Sequence, residues 1–572
     1  MDEIDPRPDD ATTLEPVEPP PERRGRWIVA GLVVVAAIAG TIAAFLILGT
    51  KPLPEAYRYL PADSAVVLEF RPEWPGDQRQ HLGNFLARFP GFADQSSFSD
   101  KIDQVLSRLV GQATDGQVDY WTQIKPLLAG PMVAGVAADA VAHMAGGRTA
   151  AFGLLVATTD GSATCDGVFG TSTVGETHRE VEIRLVQHEL SCAVDGRFLL
   201  LGDLASVKSG VDAQRDHTGL DGNSRFRAAR ATLTGDQVAL AYVDGAGLAG
   251  TLKELVPVGD AADGLTSVVP DWLIAGLRVE DDALQLEVRS PPMPTVAMAS
   301  GLPTAAPPTT SAFATIIPAD ALGFIEAHGA GANIQRAIAR LEAEPNLAGA
   351  VEQLTGALTA VGGVTNVVGW IEDIGVAAIP AGDSVGAVVL IRGTDAAATA
   401  GRLAQLHNLI ILATTGTDIT FRDIVHDGVT ITSVDIGDLD SLLGALGLEP
   451  GSLDLGAVSD LSFSLAARDD ILLLGIGEGV VERILDTSEA ASISTTSAYR
   501  RVVELAGRKN DFAAYVALDA ILGWAETHLL SDADLETWSR DLKPYLDPLA
   551  GLGAAGTTTI TGSSGWLVLT VK

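Results

Sequence analysis

The stretch HREVEIR, residues 178–184, carries the side chains best suited to chemistry. Read as one β-strand, it puts His178, Glu180, Glu182 and Arg184 on one face and Arg179, Val181, Ile183 and Leu185 on the other. An imidazole and two carboxylates on a shared face form a mixed donor set for a cation. His178, Glu180 and Glu182 are therefore the candidate metal ligands. The competing reading is the solvated face of an antiparallel strand, with Arg184 paired to a glutamate. That reading is the stronger one, because the second half of the chain shows no equivalent segment.

A second candidate is LLLGIGEGV, residues 472–480, where an apolar run meets a glycine cluster ahead of a helix. A phosphate-cradling turn needs small residues so that backbone N–H groups can approach an anion. The counterpart earlier in the chain, LLLGDLASV (199–207), keeps Gly202 but has Leu204 and Ser206 where Gly477 and Gly479 stand. It also has Asp203, which repels phosphate and caps a helix well. The shared element is a strand, one glycine and a helix, so no cofactor is expected. P-loop, H-E-x-x-H and EF-hand patterns are absent from the sequence, and GTSTVG (170–175) has the wrong spacing for a nucleophile elbow. Asp63 and Asp320, each in a Pro-Ala-Asp turn, read as turn or cap residues rather than a carboxylate pair. Tyr242 and Tyr515 read as packed strand aromatics. No catalytic residue is assigned.

The elements that would position these residues begin with a membrane anchor. Residues 1–26 are rich in Pro, Asp and Glu and read as a disordered cytoplasmic tail. Trp27 to Leu48, WIVAGLVVVAAIAGTIAAFLIL, contains no charged residue. A helix of that length spans roughly 33 Å, enough for a bilayer core. Arg23, Arg24 and Arg26 flank its start, whereas Lys51 and Arg58 are the nearest cations beyond it. The positive-inside rule puts the tail in the cytoplasm and the remainder outside. The run is longer than a cleaved signal's apolar segment and lacks a clear A-x-A site, so an uncleaved signal anchor is expected. An outer location permits a disulfide between Cys165 and Cys192, the only two cysteines.

The formal charge of −35 disfavours nucleic acid as a partner and leaves cations, basic proteins and neutral ligands. Beyond the anchor the chain looks duplicated. YLPADSAVVLEF (59–70) resembles IIPADALGFIEA (316–327), and SCAVDGRFLLLG (191–202) pairs with SLAARDDILLLG (464–475). The stretch 291–311 is rich in Pro, Ala and Thr and reads as a linker. The expected organisation is a repeat domain over 52–290 and a second over 312–572. Each is α+β, with mostly antiparallel sheets and packed helices. In DQRQHLGNFLARF (77–89), Leu82, Phe85, Leu86 and Phe89 share one helical face, with Asp77 as the cap. The hairpin turns are expected at Asp195-Gly196 and Asp469-Asp470.

LPADSAVVLEF, GDQRQHLGNFLARFPGF (76–92) and DKIDQVLSRLV, with the later LLLGD and AYVD segments, together resemble the bacterial domain-of-unknown-function family 3352. The resemblance implies an N-terminal membrane anchor and a large outer region. It transfers no catalytic residue. The second copy departs from the pattern in lacking a GDQ stretch and the cysteines. The reading that results is a single-pass, membrane-anchored cell-envelope protein with a non-catalytic binding role, for an envelope protein or an apolar ligand. The alternative is an envelope hydrolase with a metal-dependent site at His178, Glu180 and Glu182.

Overall fold

The computed structural model describes residues 53–70, 77–92, 100, 103–104, 107–108, 119–138, 140–141, 153–170, 172–186, 190–249, 270–292, 307–343, 355–356, 359, 362–413, 420–437, 461–559 and 561–572. The expected tail and membrane span, residues 1–48, lie outside them, as does most of the linker. Among the described residues no helix is long and apolar enough to cross a membrane.

The α+β expectation holds, with one large antiparallel sheet where several were expected. Among the described residues, ten strands lie in the first half: β1 (Ser64–Phe70), β2 (Met132–Ala137), β3 (Leu154–Thr158), β4 (Thr173–His178), β5 (Val181–Leu185), β6 (Ser191–Asp195), β7 (Phe198–Gly202), β8 (Ala239–Val243), β9 (Leu273–Glu280) and β10 (Ala283–Ser290). Ten follow in the second: β11 (Gly323–His328), β12 (Ile371–Ala381), β13 (Ser384–Gly393), β14 (Thr420–His426), β15 (Val429–Gly437), β16 (Leu461–Arg468), β17 (Ile471–Ile476), β18 (Phe512–Val516), β19 (Leu549–Thr559) and β20 (Gly562–Val571). Following the hydrogen-bonded neighbours, the first half runs β4-β5-β6-β7-β3-β2-β1-β8-β9-β10. The second half runs β14-β15-β16-β17-β13-β12-β11-β18-β19-β20. The two orders match strand for strand. The last strands, β10 and β20, pair antiparallel from Ala283↔Thr570 to Ser290↔Ser563. Equivalent edges therefore meet each other, as the identical edges of a two-fold dimer do.

Each half has its own core. In the first, Tyr57, Val67, Val156, Ile183, Leu200, Val207, Phe226 and Tyr242 close around one another. In the second, Phe324, Val388, Ile431, Leu473, Val480, Ile484, Tyr499 and Tyr515 do the same. A smaller cluster covers the seam. Leu82 and Phe85 of the helix Gln78–Leu86 pack on Val279, Leu284 and Val571, with Leu86 and Phe89 at its margin. The apolar face read from the sequence is thus the face that covers the junction, and burying each such side chain stabilises by roughly 1.5–3 kcal/mol. Asp77 stands at the cap position, but its side chain makes no capping hydrogen bond. Polar contacts cross the junction too. Arg501 donates to Asp282 through Nε at 3.1 and 3.0 Å, and Gln285 Nε2 donates to the Leu505 carbonyl at 2.6 Å.

The turn of the β6–β7 hairpin is Gly196-Arg197, not Asp195-Gly196, since Asp195 still pairs with Phe198. Its counterpart is Asp469-Asp470, as expected. Gly196 (φ 60°) and Asp469 (φ 55°) occupy the same left-handed turn position. Asp195 is freed for another role. It accepts from Tyr59 Oη at 2.8 Å and from Arg215 at 2.8 and 3.2 Å.

Candidate functional site

HREVEIR is not one strand. Arg179 (φ 47°) and Glu180 (φ 69°) form a two-residue turn between β4 and β5, and His178 pairs with Val181. Positive φ at both central residues is what a tight hairpin with native twist requires. The three candidate ligands are therefore dispersed. His178 accompanies buried Val181 and reaches Asp212 at 2.9 Å. Glu180 sits in the exposed turn. Glu182 pairs across the hairpin with Thr177, away from His178, and accepts from Arg184 at 2.6 Å. Arg184 also reaches Asp166 at 3.1 Å and donates to Ser172 Oγ at 2.6 Å. This is the solvated, ion-paired surface of a strand, so the metal-dependent hydrolase reading loses its donor set.

The second half does have an equivalent hairpin, β14–β15. Its turn is Asp427 (φ 47°) and Gly428 (φ 80°), with His426 paired to Val429. Ile183 and Ile431 hold matching places behind the two turns, and both are fully buried. His426 Nε2 lies 2.6 Å from Asp486 Oδ1, as His178 lies beside Asp212. The hydrogen bond to Asp486 outweighs desolvation and, with the charges of Asp486, Asp427 and Glu482, holds the His426 imidazole above its ordinary pKa.

Both histidine partners come from the helix that follows the glycine-containing strand. In the first half it spans Leu204–Asp216, and Asp203 caps it by accepting from Ser206 N at 2.8 Å. In the second it spans only Val480–Asp486, entered through Gly477 (φ 103°) and Gly479 (φ 72°). Glycine is required there because a side chain rarely adopts those angles. A Cβ on Gly477 would also come within 3.2 Å of Gly386 Cα. The glycine cluster serves a strand-to-helix turn.

Beside each helix lies a shallow cleft whose other wall is a Pro-Ala-Asp turn. The first, about 270 Å³, is lined by Pro61, Ala62, Asp63, Ser209 and Asp212. The second, about 430 Å³, is lined by Pro318, Ala319, Asp320, Arg483 and Asp486. Arg483 NH2 donates to both Asp320 oxygens, at 2.5 and 2.7 Å. The two turn aspartates are far apart in the fold and form no pair. The same cleft thus occurs twice, acidic in the first half and bridged by an ion pair in the second.

Sequence reasoning missed a buried carboxylate on the central strand of each half. Glu69 in β1 accepts from Tyr57 Oη at 2.5 Å and is paired with Arg230. Glu326 holds the same place in β11. It accepts from Ser311 Oγ at 2.8 Å and from the Ala312 N–H at 3.2 Å, with His328 Nε2 at 3.9 Å. Burial raises Glu326 above the usual carboxylate range. Burial opposes charge on His328, but the Asp373 hydrogen bond and the carboxylates of Glu326 and Asp373 prevail and raise it. Asp373 is likewise penalised by burial but lowered overall by His328 and Arg392. Tyr242 and Tyr515 are packed strand aromatics as expected. Each meets an equivalent ring edge-on, Phe226 at 5.1 Å and Tyr499 at 5.4 Å. Burial, helped by Asp244, pushes Tyr242 up to about 12.

Cys165 and Cys192 are joined in a disulfide, Cα–Cα 5.9 Å. It ties the short helix Cys165–Phe169 to β6 inside a small apolar cluster with Leu127, Val168 and Leu199.

The model of a family described as "Protein of unknown function (DUF3352)" matches residues 28–559. No curated protein matches the chain. Among solved structures, crystal form I of TP0453 is similar at 9% identity over 45% of this chain and 81% of that one, with a TM-score of 0.21. Crystal form IV is similar at 11% identity over 43% and 82%, also at 0.21. A likeness of that size carries no argument about this chain.

Proposed function

We propose that this chain, which belongs to the family of proteins of unknown function DUF3352, is a single-pass, membrane-anchored cell-envelope protein. Its outer region is two tandem copies of one α+β domain that act as a non-catalytic, two-site interaction module. The observation that carries the reading is the cleft that recurs, in the same place in the fold, in both halves. Two related sites on one continuous sheet give a partner two attachment points at fixed spacing, which raises avidity without new contacts. The net charge of −35 and the carboxylates lining the first cleft favour a partner that presents basic groups. The Cys165–Cys192 disulfide supports an oxidising compartment, and the uncharged span 27–48 supports the anchor.

Labelling intact cells with a membrane-impermeant maleimide tests the placement, because both native cysteines are tied in the disulfide. Cysteine at position 55 (E55C) reacts in whole cells, whereas cysteine at position 10 (D10C) reacts only after the membrane is permeabilised. The reverse pattern would overturn the topology. Photo-crosslinking side chains at Asp63 and at Asp320 test the module. Both are expected to yield an adduct with the same envelope protein, and adducts at neither position would remove the two-site reading.

A further inference from the structure

We propose that His426, Asp427 and Asp486 bind one divalent transition-metal ion at the tip of the β14–β15 hairpin, with Glu482 as a further ligand. One donor atom from each of the first three lies within 4.8 Å of the others. Donors on a metal at about 2 Å stand about 3–3.5 Å apart, so modest side-chain rotation closes the set. The imidazole selects transition metals over calcium or magnesium, and the carboxylates supply charge. Acidity alone would not mark a site; two further observations do.

The first comes from the equivalent hairpin. There His178 and Asp212 make the same contact, but the place of Asp427 belongs to Arg179. Its guanidinium Nε lies 2.7 Å from Asp212 Oδ1, and its NH1 lies 2.7 Å from Asp216 Oδ1. Four residues before Asp212 stands Lys208, paired with Glu176; four before Asp486 stands Glu482. The fold therefore holds a cation against this aspartate in the first half. The second half keeps the histidine and the aspartate but has Asp427 in place of Arg179, which neutralised that aspartate, and Glu482 in place of Lys208, which neutralised Glu176. The second observation is Glu482 itself, whose Oε2 is buried without a hydrogen-bond partner. The nearest arginine on the same helix, Arg483, is already committed to Asp320. An external cation would replace the one the chain supplies to itself on the other side.

The site does not depend on the anchor, and a chain facing the cytoplasm would keep it. The test uses the full-length chain in detergent, stripped with a chelator and titrated with zinc chloride by equilibrium dialysis. One tightly held Zn²⁺ per chain is expected. D427R copies the first half, where Arg179 adopts the same φ of 47°, and should weaken binding at least tenfold. D427N, which leaves the turn chemistry intact, should weaken it in the same direction. The reciprocal double variant R179D/K208E should raise the count to two. No bound zinc in the parent chain, or affinity unchanged in both Asp427 variants, would overturn the proposal. A count that stays at one in the double variant would overturn the charge-reversal argument.

Discussion

The two halves meet the same physical problems with different side chains. Each buries a glutamate on its central strand. The first half answers with a phenol and a guanidinium, Tyr57 and Arg230, which form a charge-paired knot around Glu69. The second answers with a hydroxyl, a backbone N–H and an imidazole: Ser311, Ala312 and His328. At the hairpin tips the first half neutralises its aspartates with Arg179, while the second leaves Asp427 beside His426 and Asp486. The first half carries a disulfide; the second has none. What both retain is the apolar frame, with Val67 matched by Phe324, Ile183 by Ile431 and Tyr242 by Tyr515, all buried. Topology follows from that frame, and the polar positions are left to diverge toward different partners.

That contrast can be broken at several points. Replacing Arg230 by methionine strands the Glu69 carboxylate in the core and should cost about 3–5 kcal/mol, the cost of an uncompensated buried charge. Denaturant unfolding followed by amide exchange in β1 and β8 reads it, with β11 and β18 little changed. The double variant C165S/C192S should lower stability of the first half by about 3–4 kcal/mol in the loop-entropy model, given a separation of 27 residues. The same double variant should leave the second half unaffected. G477A should cost about 1–2 kcal/mol, because alanine strains at φ 103°. L204A, at the corresponding point of the first half, carries no such backbone strain, so its loss should track side-chain packing alone.

The smallest expected effect is a pH dependence confined to the second half. Glu326 and His328 are both raised in the fold, so the folded chain holds protons that the unfolded chain releases. The stability they contribute is complete below their ordinary values and is lost as pH rises through the raised ones. Asp373 is lowered and acts in the opposite sense, losing its contribution only as pH falls below its ordinary value of 3.8. Between about pH 6 and 9, across the ordinary histidine value, exchange protection of β11 should fall after correction for intrinsic rate, and that of β1 should not. Equal slopes in the two strands would remove the distinction between the two glutamate sites.

Much of the frame was legible in the amino-acid pattern. The 3.6 period marked the helix over Leu82 and Phe85, and the Asp469-Asp470 turn was readable from its turn chemistry. The hairpin at 178–181 was not, because Arg179 and Glu180 are unusual at positions needing positive φ, so alternation ran on uninterrupted through the turn. Its counterpart at Asp427-Gly428 is an ordinary turn signal, but it lies at a different spacing from the matched β6–β7 segment, and the equivalence was hidden. The paired clefts were half visible in the repeated Pro-Ala-Asp turns, whose partners on the helix are over a hundred residues away. The seam was invisible, since nothing local in β10 or β20 says that each takes the other as its neighbour. Glu69 and Glu326 carry no local signal of burial, because Arg230 and Ser311, which satisfy them, lie 161 and 15 residues away in the chain.

One sheet passes through β10 and β20, where the two halves face each other with equivalent strands. Leu286 and Leu567 are directly opposed in that pairing. The full-length double variant L286C/L567C, oxidised under mild conditions and mapped by peptide mass spectrometry, should form a 286–567 disulfide in high yield. The off-register pair L286C/S563C should not. Free thiols at 286 and 567, or equal crosslinking in both registers, would contradict the continuous sheet and leave the halves as separately tethered domains.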